Sequence, residues 1–329
     1  GGKATDAEAL RLVDAQLEEA LSRDYPVCRV YVIFETEMEQ RRCLRELEVP
    51  DYQAFLDSGG DKELLFRGTN VLDVVEPPEP DSVLWENLEL DMWEKAKHVA
   101  AANLIALALL FALYWIVEGA TAGGPLVLGA VVAGADSLLM FAFSGLSNLN
   151  RPTSEGLRQS DLQVKLFIAR LLTSTIFPFL QAPWDGVLDA ERITAVLAVQ
   201  FSACFVLPLV FLLDFPGLFS RHVLVRLSDT QGEANSMWLG SDWSLAERYT
   251  GAANILFVSL FYALLSPVSL LLAFAAFALV FFVDRFLLLR RWARACAMGA
   301  DIARRLRQQG ILAVALHMIV TLRFIYSWP

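Results

Sequence analysis

The chain has 329 residues, is 56% hydrophobic and carries a formal net charge of −10. Residues 1–98 hold 23 acidic and 11 basic residues, whereas the remainder is nearly neutral and strongly apolar. The acidic first region excludes a general nucleic-acid-binding role, which needs a basic surface against phosphate. The apolar remainder excludes a wholly soluble protein.

The first region predicts a small α+β domain over residues 1–88. Apolar residues recur at helical spacing in 6–22, and residues 37–47 are helical again. Segments rich in β-branched and aromatic side chains predict a buried strand at 27–34 and short strands at 63–66 and 71–75. This order is typical of an RNA-recognition-motif-like sandwich. Because the region is acidic and lacks a run of stacking aromatic residues, we interpret it as a structural coupling domain rather than an RNA-binding one.

After His98 the sequence changes to long apolar stretches, which predict transmembrane helices. A helix needs about 20 mostly apolar residues to cross a bilayer, and several stretches reach that length. We therefore predict a polytopic α-helical membrane domain over residues 89–329. Its seven spans are predicted at 99–117, 125–146, 162–180, 193–213, 251–265, 267–283 and 310–328.

The loops between these stretches predict the orientation, because Lys and Arg prefer the cytoplasmic side. Bases concentrate in every second loop, and the loop 284–309 alone holds seven Arg. The basic loops are 147–161, 214–249 and 284–309, and the base-poor loops are 119–124, 181–192 and 266–267. We expect an integral protein of the plasma membrane or an endomembrane, with residues 1–98 in the cytoplasm.

No enzyme is predicted. The sequence has no nucleophile elbow, Walker loop, zinc-protease motif or EF-hand loop. The four Cys and three His are scattered without metal-ligand spacing, so neither a metal nor another cofactor is expected. The chain starts without Met and stops in an apolar run, so we expect a piece of a longer protein with an incomplete first domain.

Three blocks of sequence carry a resemblance to a known family. Residues 71–88 read VLDVVEPPEPDSVLWENL, residues 212–227 begin LLDFPGL, and residues 248–292 contain YALLSP followed by VDRF. Within the first block the matching positions are Pro77, Pro78, Pro80, Val83, Trp85, Asn87 and Leu88, while Glu76 stands where Ala is usual.

These blocks resemble the osmosensitive, calcium-permeable stress-gated cation channels, which include plant hyperosmolality channels and animal transmembrane protein 63 relatives. The resemblance implies an anoctamin-like pore bundle within one subunit, opened by membrane tension. It also implies a pore partly walled by lipid, permeant Ca²⁺, Na⁺ and K⁺, further spans beyond this chain, and either a monomer or a homodimer.

Charged residues inside the spans are costly in a bilayer and are candidates for function. Asp136 lies near the middle of its span, where it either lines an ion path or pairs with Lys165 or Arg170. Lys165 and Arg170 either extend to the inner headgroups or contact lipid in the pore, since the family has a basic residue in this segment. Glu118 ends the first span at its outer side and is a further ion-path candidate.

Polar residues inside the later spans are the remaining candidates for the ion path, although each could simply hydrogen-bond between helices. They are Gln200, Ser202, Asn254, Ser259 and Tyr262. The family often has a Gly hinge in the fourth span, but this chain has no Gly between Arg192 and Asp214. Pro208 is the only helix breaker there, so it is the predicted gating hinge.

The leading hypothesis is a mechanosensitive, non-selective cation channel. A lipid scramblase that uses the same groove is the second hypothesis, and a non-conducting membrane adaptor is the third. A polar stripe along a hydrated groove favours the first two, and a dry bundle with a salt-bridged Asp136 favours the third.

Overall fold

The structure is a computed structural model that describes residues 2–22, 27, 29–47, 72, 74–90, 92–178, 190–239, 243–293 and 298–327. The chain divides into two compact units, residues 1–77 and residues 78–329. The division falls before the predicted boundary at Leu88, so the Trp-Glu-Asn-Leu segment belongs to the second unit.

The first unit contains two helices among its described residues, α1 (Gly2–Leu21) and α2 (Glu37–Glu46). Both confirm helices expected from the apolar periodicity. Thr36 begins α2 as its N-cap, because its hydroxyl accepts a hydrogen bond from the Glu39 amide at 3.3 Å.

The strand predicted at 27–34 is wrong for the residues described there, which are 27 and 29–34. They adopt no strand, and most of them are exposed to solvent. A β-branched run forms a strand only when a partner pairs with its backbone, and no partner strand exists among the described residues. Of the strand predicted at 71–75, residues 72, 74 and 75 are described and adopt no strand, so the prediction is wrong for them. Residues 71 and 73 and the strand predicted at 63–66 lie outside the described residues, so the α+β sandwich has no support.

The second unit is a helical bundle. Its long helices are α3 (Met92–Thr121), α4 (Pro125–Leu149), α5 (Glu155–Leu171), α6 (Ala190–Phe201), α10 (Leu245–Tyr262), α11 (Val268–Arg290) and α12 (Asp301–Ser327). Shorter helices α7 (Leu207–Leu213), α8 (Phe215–His222) and α9 (Gln231–Trp238) follow α6. Two π-helical segments continue helices of the bundle: Leu172–Ile176 after α5 and Ser202–Val206 after α6.

Four helical stretches are long and apolar enough to cross a membrane, which identifies a helical membrane protein. They are Trp93–Thr121, Pro125–Leu149, Ile193–Leu227 and Val268–Arg290. The other three predicted spans fall in α5, α10 and α12, which do not meet the same length and hydropathy requirement in their described parts. Four candidate spans are therefore found among the described residues, and the count of seven stays a prediction.

The surface of the bundle has the polarity expected of a protein in lipid. Large apolar side chains point outward, such as Leu138 at 72% and Phe274 at 76% exposure. The interior instead encloses polar groups such as Gln163 and Arg170, which are at most 1% exposed. A water-soluble protein has the opposite distribution, with most charged and polar side chains outside and apolar side chains inside. The outer surface of this bundle is therefore suited to hydrocarbon.

Helices α4 and α10 lie at the centre of the bundle. Helix α4 packs against α3, α5 and α6, while α10 packs against α5, α11 and α12. Small residues allow close approach on one side, since Ala102 and Ala106 of α3 pack against Leu139 of α4. On the other side, Phe167 of α5 stacks edge-on against Phe257 of α10 at a centroid distance of 5.1 Å.

Candidate functional site

A belt of buried polar side chains crosses the centre of the bundle, contributed by five neighbouring helices. Each side chain is at most 4% exposed. The polar belt consists of Asp136 from α4, Thr173, Ser174 and Thr175 from the π segment after α5, Gln200 from α6, Ser259 and Tyr262 from α10, and Ser269 from α11.

Asp136 is held by hydroxyl groups. Thr173 Oγ1 donates to Asp136 Oδ1 at 3.0 Å, and Ser174 Oγ donates to Oδ2 at 3.5 Å. No Lys or Arg nitrogen of the described residues forms an ion pair with Asp136 within 4.0 Å. Arg170 lies one turn before Thr173 in α5 and attracts the carboxylate from a longer distance.

The π segment after α5 explains how Tyr262 joins this group. A π turn moves backbone hydrogen bonds from i+4 to i+5 and leaves some carbonyl groups available. Tyr262 Oη donates to the Thr175 carbonyl at 3.2 Å and to the Ser174 carbonyl at 3.4 Å. The segment therefore presents hydroxyls to α4 and carbonyls to α10.

Gln200 makes the second half of the belt. Its Nε2 donates to the Ser269 carbonyl at 2.9 Å and to Ser259 Oγ at 3.2 Å. Ser259 and Tyr262 lie one turn apart in α10, so this helix connects Gln200 with the π segment after α5. Gln200 Oε1 and Thr175 Oγ1 are buried without a hydrogen-bond partner among the described residues.

Pro208, the predicted hinge, is buried in α7 immediately after the second π segment. Ser202 opens that segment, and its hydroxyl donates back to the Val199 carbonyl at 2.7 Å. Helix α7 then ends at Asp214, which has a left-handed backbone with φ 47°. The candidate span Ile193–Leu227 thus combines three departures from regular α-helix, although bending at Pro208 stays a prediction.

The remaining predicted residues lie apart from the belt contacts. Asn254 is buried in α10, while Glu118 is exposed near the end of α3. Lys165 Nζ pairs with Asp161 at 2.6 Å, and Arg170 Nη1 donates to Thr250 Oγ1, also at 2.6 Å. Their side chains are enclosed by protein, and their contact with lipid headgroups stays a prediction.

A second polar site, which the sequence did not reveal, surrounds Arg248 at the start of α10. Its guanidinium lies over three aromatic rings, at 3.9 Å from Phe211, 4.5 Å from Trp243 and 4.8 Å from Trp292. Arg248 Nη1 also pairs with Asp284 Oδ1 at 2.6 Å. This Arg248 cage joins α7, α10 and α11 through groups that are far apart in sequence. It can be identified only from the way these helices pack in the structure.

Alternating charges connect the polar belt with the Arg248 cage. Coulombic attraction links Arg170 to Asp136 and Glu247, and it links Arg248 to Glu247 and Asp284. Glu247 precedes the predicted span 251–265. Burial raises the pKa of its carboxyl, and nearby Arg170, Arg248 and Arg158 partly offset this rise. With Arg158 included, three acids and three bases balance, so the chain of charges has no excess charge when all of them are ionised.

The Trp-Glu-Asn-Leu segment is attached to the loop between α4 and α5. Asn87 Nδ2 donates to the Pro152 carbonyl at 2.8 Å, and the Leu84 amide donates to the Thr153 carbonyl at 3.0 Å. A cavity of about 420 Å³ lies beside these contacts and is lined by Asn148, Arg151, Arg158 and other polar residues. Asn87 therefore fixes the entry to the first span.

No known family and no curated protein matches this chain in comparisons of its sequence. Among the described residues, no three His, Cys, Asp or Glu side chains come together to hold a metal ion. The polar belt and the Arg248 cage are therefore interpreted from their own chemistry.

Proposed function

We propose that this protein is a mechanosensitive, non-selective cation channel whose ion path follows the polar belt. The observation that carries the proposal is Asp136, a carboxylate in the centre of a candidate span with no ion-pair partner within 4.0 Å among the described residues. Such a group is costly in a membrane interior and is retained where it serves an ion or a proton.

The chemistry of the belt suits hard cations. Carboxylate, hydroxyl and carbonyl oxygens replace part of a hydration shell for Na⁺, K⁺ and Ca²⁺. Thr173, Ser174 and Tyr262 supply such oxygens around or next to Asp136. The carboxylate of Asp136, which has no ion-pair partner within 4.0 Å among the described residues, favours cations over anions.

The described arrangement is a closed one, because the belt side chains are at most 4% exposed. Conduction requires the helices around the belt to separate and admit water. Tension favours whichever state occupies more membrane area, and the π segment and Pro208 make the fourth span the easiest helix to bend. Movement of α7 opens the belt from the Gln200 side.

The proposed topology has seven spans in an anoctamin-like bundle. Helices α5, α10 and α12 serve as the three additional spans, because α5 packs on the apolar helix α4, α10 packs on the apolar helix α11, and α12 packs on α5 and α10. The first unit and the loops rich in Arg lie on the cytoplasmic side. In this topology the Arg248 cage lies toward the cytoplasmic end, below the polar belt.

The test is Asp136→Asn in the full chain reconstituted in liposomes and stretched by suction. We expect a lower single-channel conductance or a weaker preference for cations, because the substitution removes charge and keeps shape. Asp229→Asn, an exposed loop acid, is the matched control and leaves both values unchanged. Unaltered conductance and selectivity in Asp136→Asn would contradict the proposed ion path.

Lipid transfer is measured in the same liposomes, because a scramblase would use the same polar groups. Fast transbilayer movement of labelled lipid without a tension-dependent current would contradict the channel hypothesis and support the scramblase hypothesis. Loss of folded protein in Asp136→Asn, with neither activity in the original chain, would support the adaptor hypothesis.

A further inference from the structure

The outward face of α12 changes abruptly from basic to apolar. Its inward face is secured by Ile302 and Ala313, each 2% exposed, and by Gln163 of α5, which donates to the Ile302 carbonyl at 3.3 Å. On the outward face, Arg304, Arg305 and Arg307 are exposed. Beyond Arg307 and the exposed Gln308, the large exposed side chains are apolar, at Ile311, Leu312, Val314, Met318, Ile319 and Leu322.

The change fixes how α12 meets a bilayer. At 1.5 Å per residue, Arg307 lies about 6 Å and Arg304 about 10 Å from Ile311 along the helix axis. The headgroup layer on each side of the hydrocarbon core is about 5–8 Å thick. Ile311 therefore lies at the edge of the hydrocarbon, and the three long Arg side chains reach the headgroups.

Among the described residues, the three arginines have no acidic ion-pair partner. No carboxylate of the described residues lies within ion-pair distance of Arg304, Arg305 or Arg307. The exposed helix α2 is different, because Arg41 and Arg42 pair with Glu37 and Glu46. Unpaired guanidinium groups at this depth leave a concentrated positive charge facing the lipid.

We propose that Arg304, Arg305 and Arg307 form a binding surface for anionic phospholipid headgroups of the adjoining leaflet. A guanidinium presents a planar pair of donors that matches the oxygens of a phosphate. Exposed Arg285 and Arg290 at the end of α11 lie before the connection to α12 and add to the charge on this side. The inference rests on the proposed membrane position of α12 and not on ion conduction.

The experiment counts lipids bound to the purified full chain by native mass spectrometry, with phosphatidylserine or phosphatidylcholine added to detergent micelles. We expect the triple variant Arg304→Gln, Arg305→Gln, Arg307→Gln to weaken phosphatidylserine binding by about ten-fold or more. We expect phosphatidylcholine binding to stay unchanged in this variant. Added salt weakens the binding of phosphatidylserine and leaves the binding of phosphatidylcholine unchanged. The matched control removes three charges from α2 through Arg41→Gln, Arg42→Gln and Arg45→Gln and keeps lipid binding.

Equal phosphatidylserine binding in the triple variant, or an equal loss in the α2 control, would overturn the proposal. Competition by millimolar inorganic phosphate as strong as that by the lipid would also overturn it, since the surface would then take soluble anions. The single variant Arg305→Gln, with a smaller loss expected, decides the question if the triple variant does not fold. Channel currents are not part of this readout, so failure of the proposed conduction would leave the lipid result intact.

Discussion

Arg248 is held by one carboxylate and three aromatic rings, so its replacement has a cost that can be worked out group by group. In Arg248→Lys the positive charge remains, but the planar stacking over Phe211, Trp243 and Trp292 is lost. A partly desolvated cation–π contact contributes about 0.5–2 kcal/mol, and we expect a total loss of about 1–2 kcal/mol.

Arg248→Met removes the charge while keeping most of the volume. Asp284 then loses the partner that lies 2.6 Å away, in a site where the Arg248 side chain is only 8% exposed. Breaking a buried pair costs about 3–5 kcal/mol, and the 21% exposure of Asp284 places the expected cost near 3 kcal/mol. The order of stability is therefore the original chain, then Arg248→Lys, then Arg248→Met.

The free energy of unfolding is measured in mixed micelles, with Trp fluorescence as the signal because two cage members are tryptophans. The double variant Arg248→Met, Asp284→Asn completes a cycle, and we expect a coupling energy of about 1–3 kcal/mol. Arg285→Met is the control, since Arg285 adjoins Asp284 in sequence but is exposed. If Arg248→Met costs no more than this control, or if the cycle is additive, the cage does not hold these helices together.

Three further predictions concern the hinge, the belt and the topology. Pro208→Ala restores an amide donor to the fourth span, so we expect a shift in the tension for half-opening with unchanged ion selectivity; an unmoved tension curve would place the hinge elsewhere. Gln200→Leu removes the hydrogen bonds to Ser259 and Ser269, so we expect a loss of about 1 kcal/mol in unfolding free energy, and no loss would mean the contacts are incidental. The third prediction uses a variant in which Cys43 is the one remaining cysteine. A membrane-impermeant maleimide applied to intact cells should leave Cys43 unlabelled until the cells are permeabilised, and labelling from outside would contradict the proposed orientation.

The sequence was informative where a pattern depends on neighbours along the chain. Helices α1 and α2 and the long apolar helices follow from periodicity and composition, and the structure confirms them. The strand at 27–34 failed because β-structure needs a partner supplied from elsewhere, which propensity cannot provide. Local pattern therefore predicted helices well and the first unit poorly.

The candidate site was only partly accessible to the same reasoning. Asp136, Gln200, Ser259 and Tyr262 stood out as polar residues in apolar spans, but their grouping depends on how α4, α6 and α10 pack. Thr173, Ser174 and Thr175 were missed, because hydroxyl residues are common in membrane helices and a π segment has no signature at 3.6-residue spacing. The Arg248 cage was missed because it joins residues as far apart in sequence as Phe211 and Trp292.

The two π segments give the belt a property that regular helices would lack. A π turn holds one residue more than an α turn, and one residue corresponds to about 100° of rotation. Conversion of Leu172–Ile176 to α-helix therefore turns the chain beyond it and re-aims Phe177, which stacks edge-on against Tyr114 at 5.3 Å. The same change removes the Ser174 and Thr175 carbonyls as hydrogen-bond acceptors for Tyr262. The hydrogen bonds of Tyr262 inside the belt and the packing of Phe177 on Tyr114 of α3 therefore change in the same step.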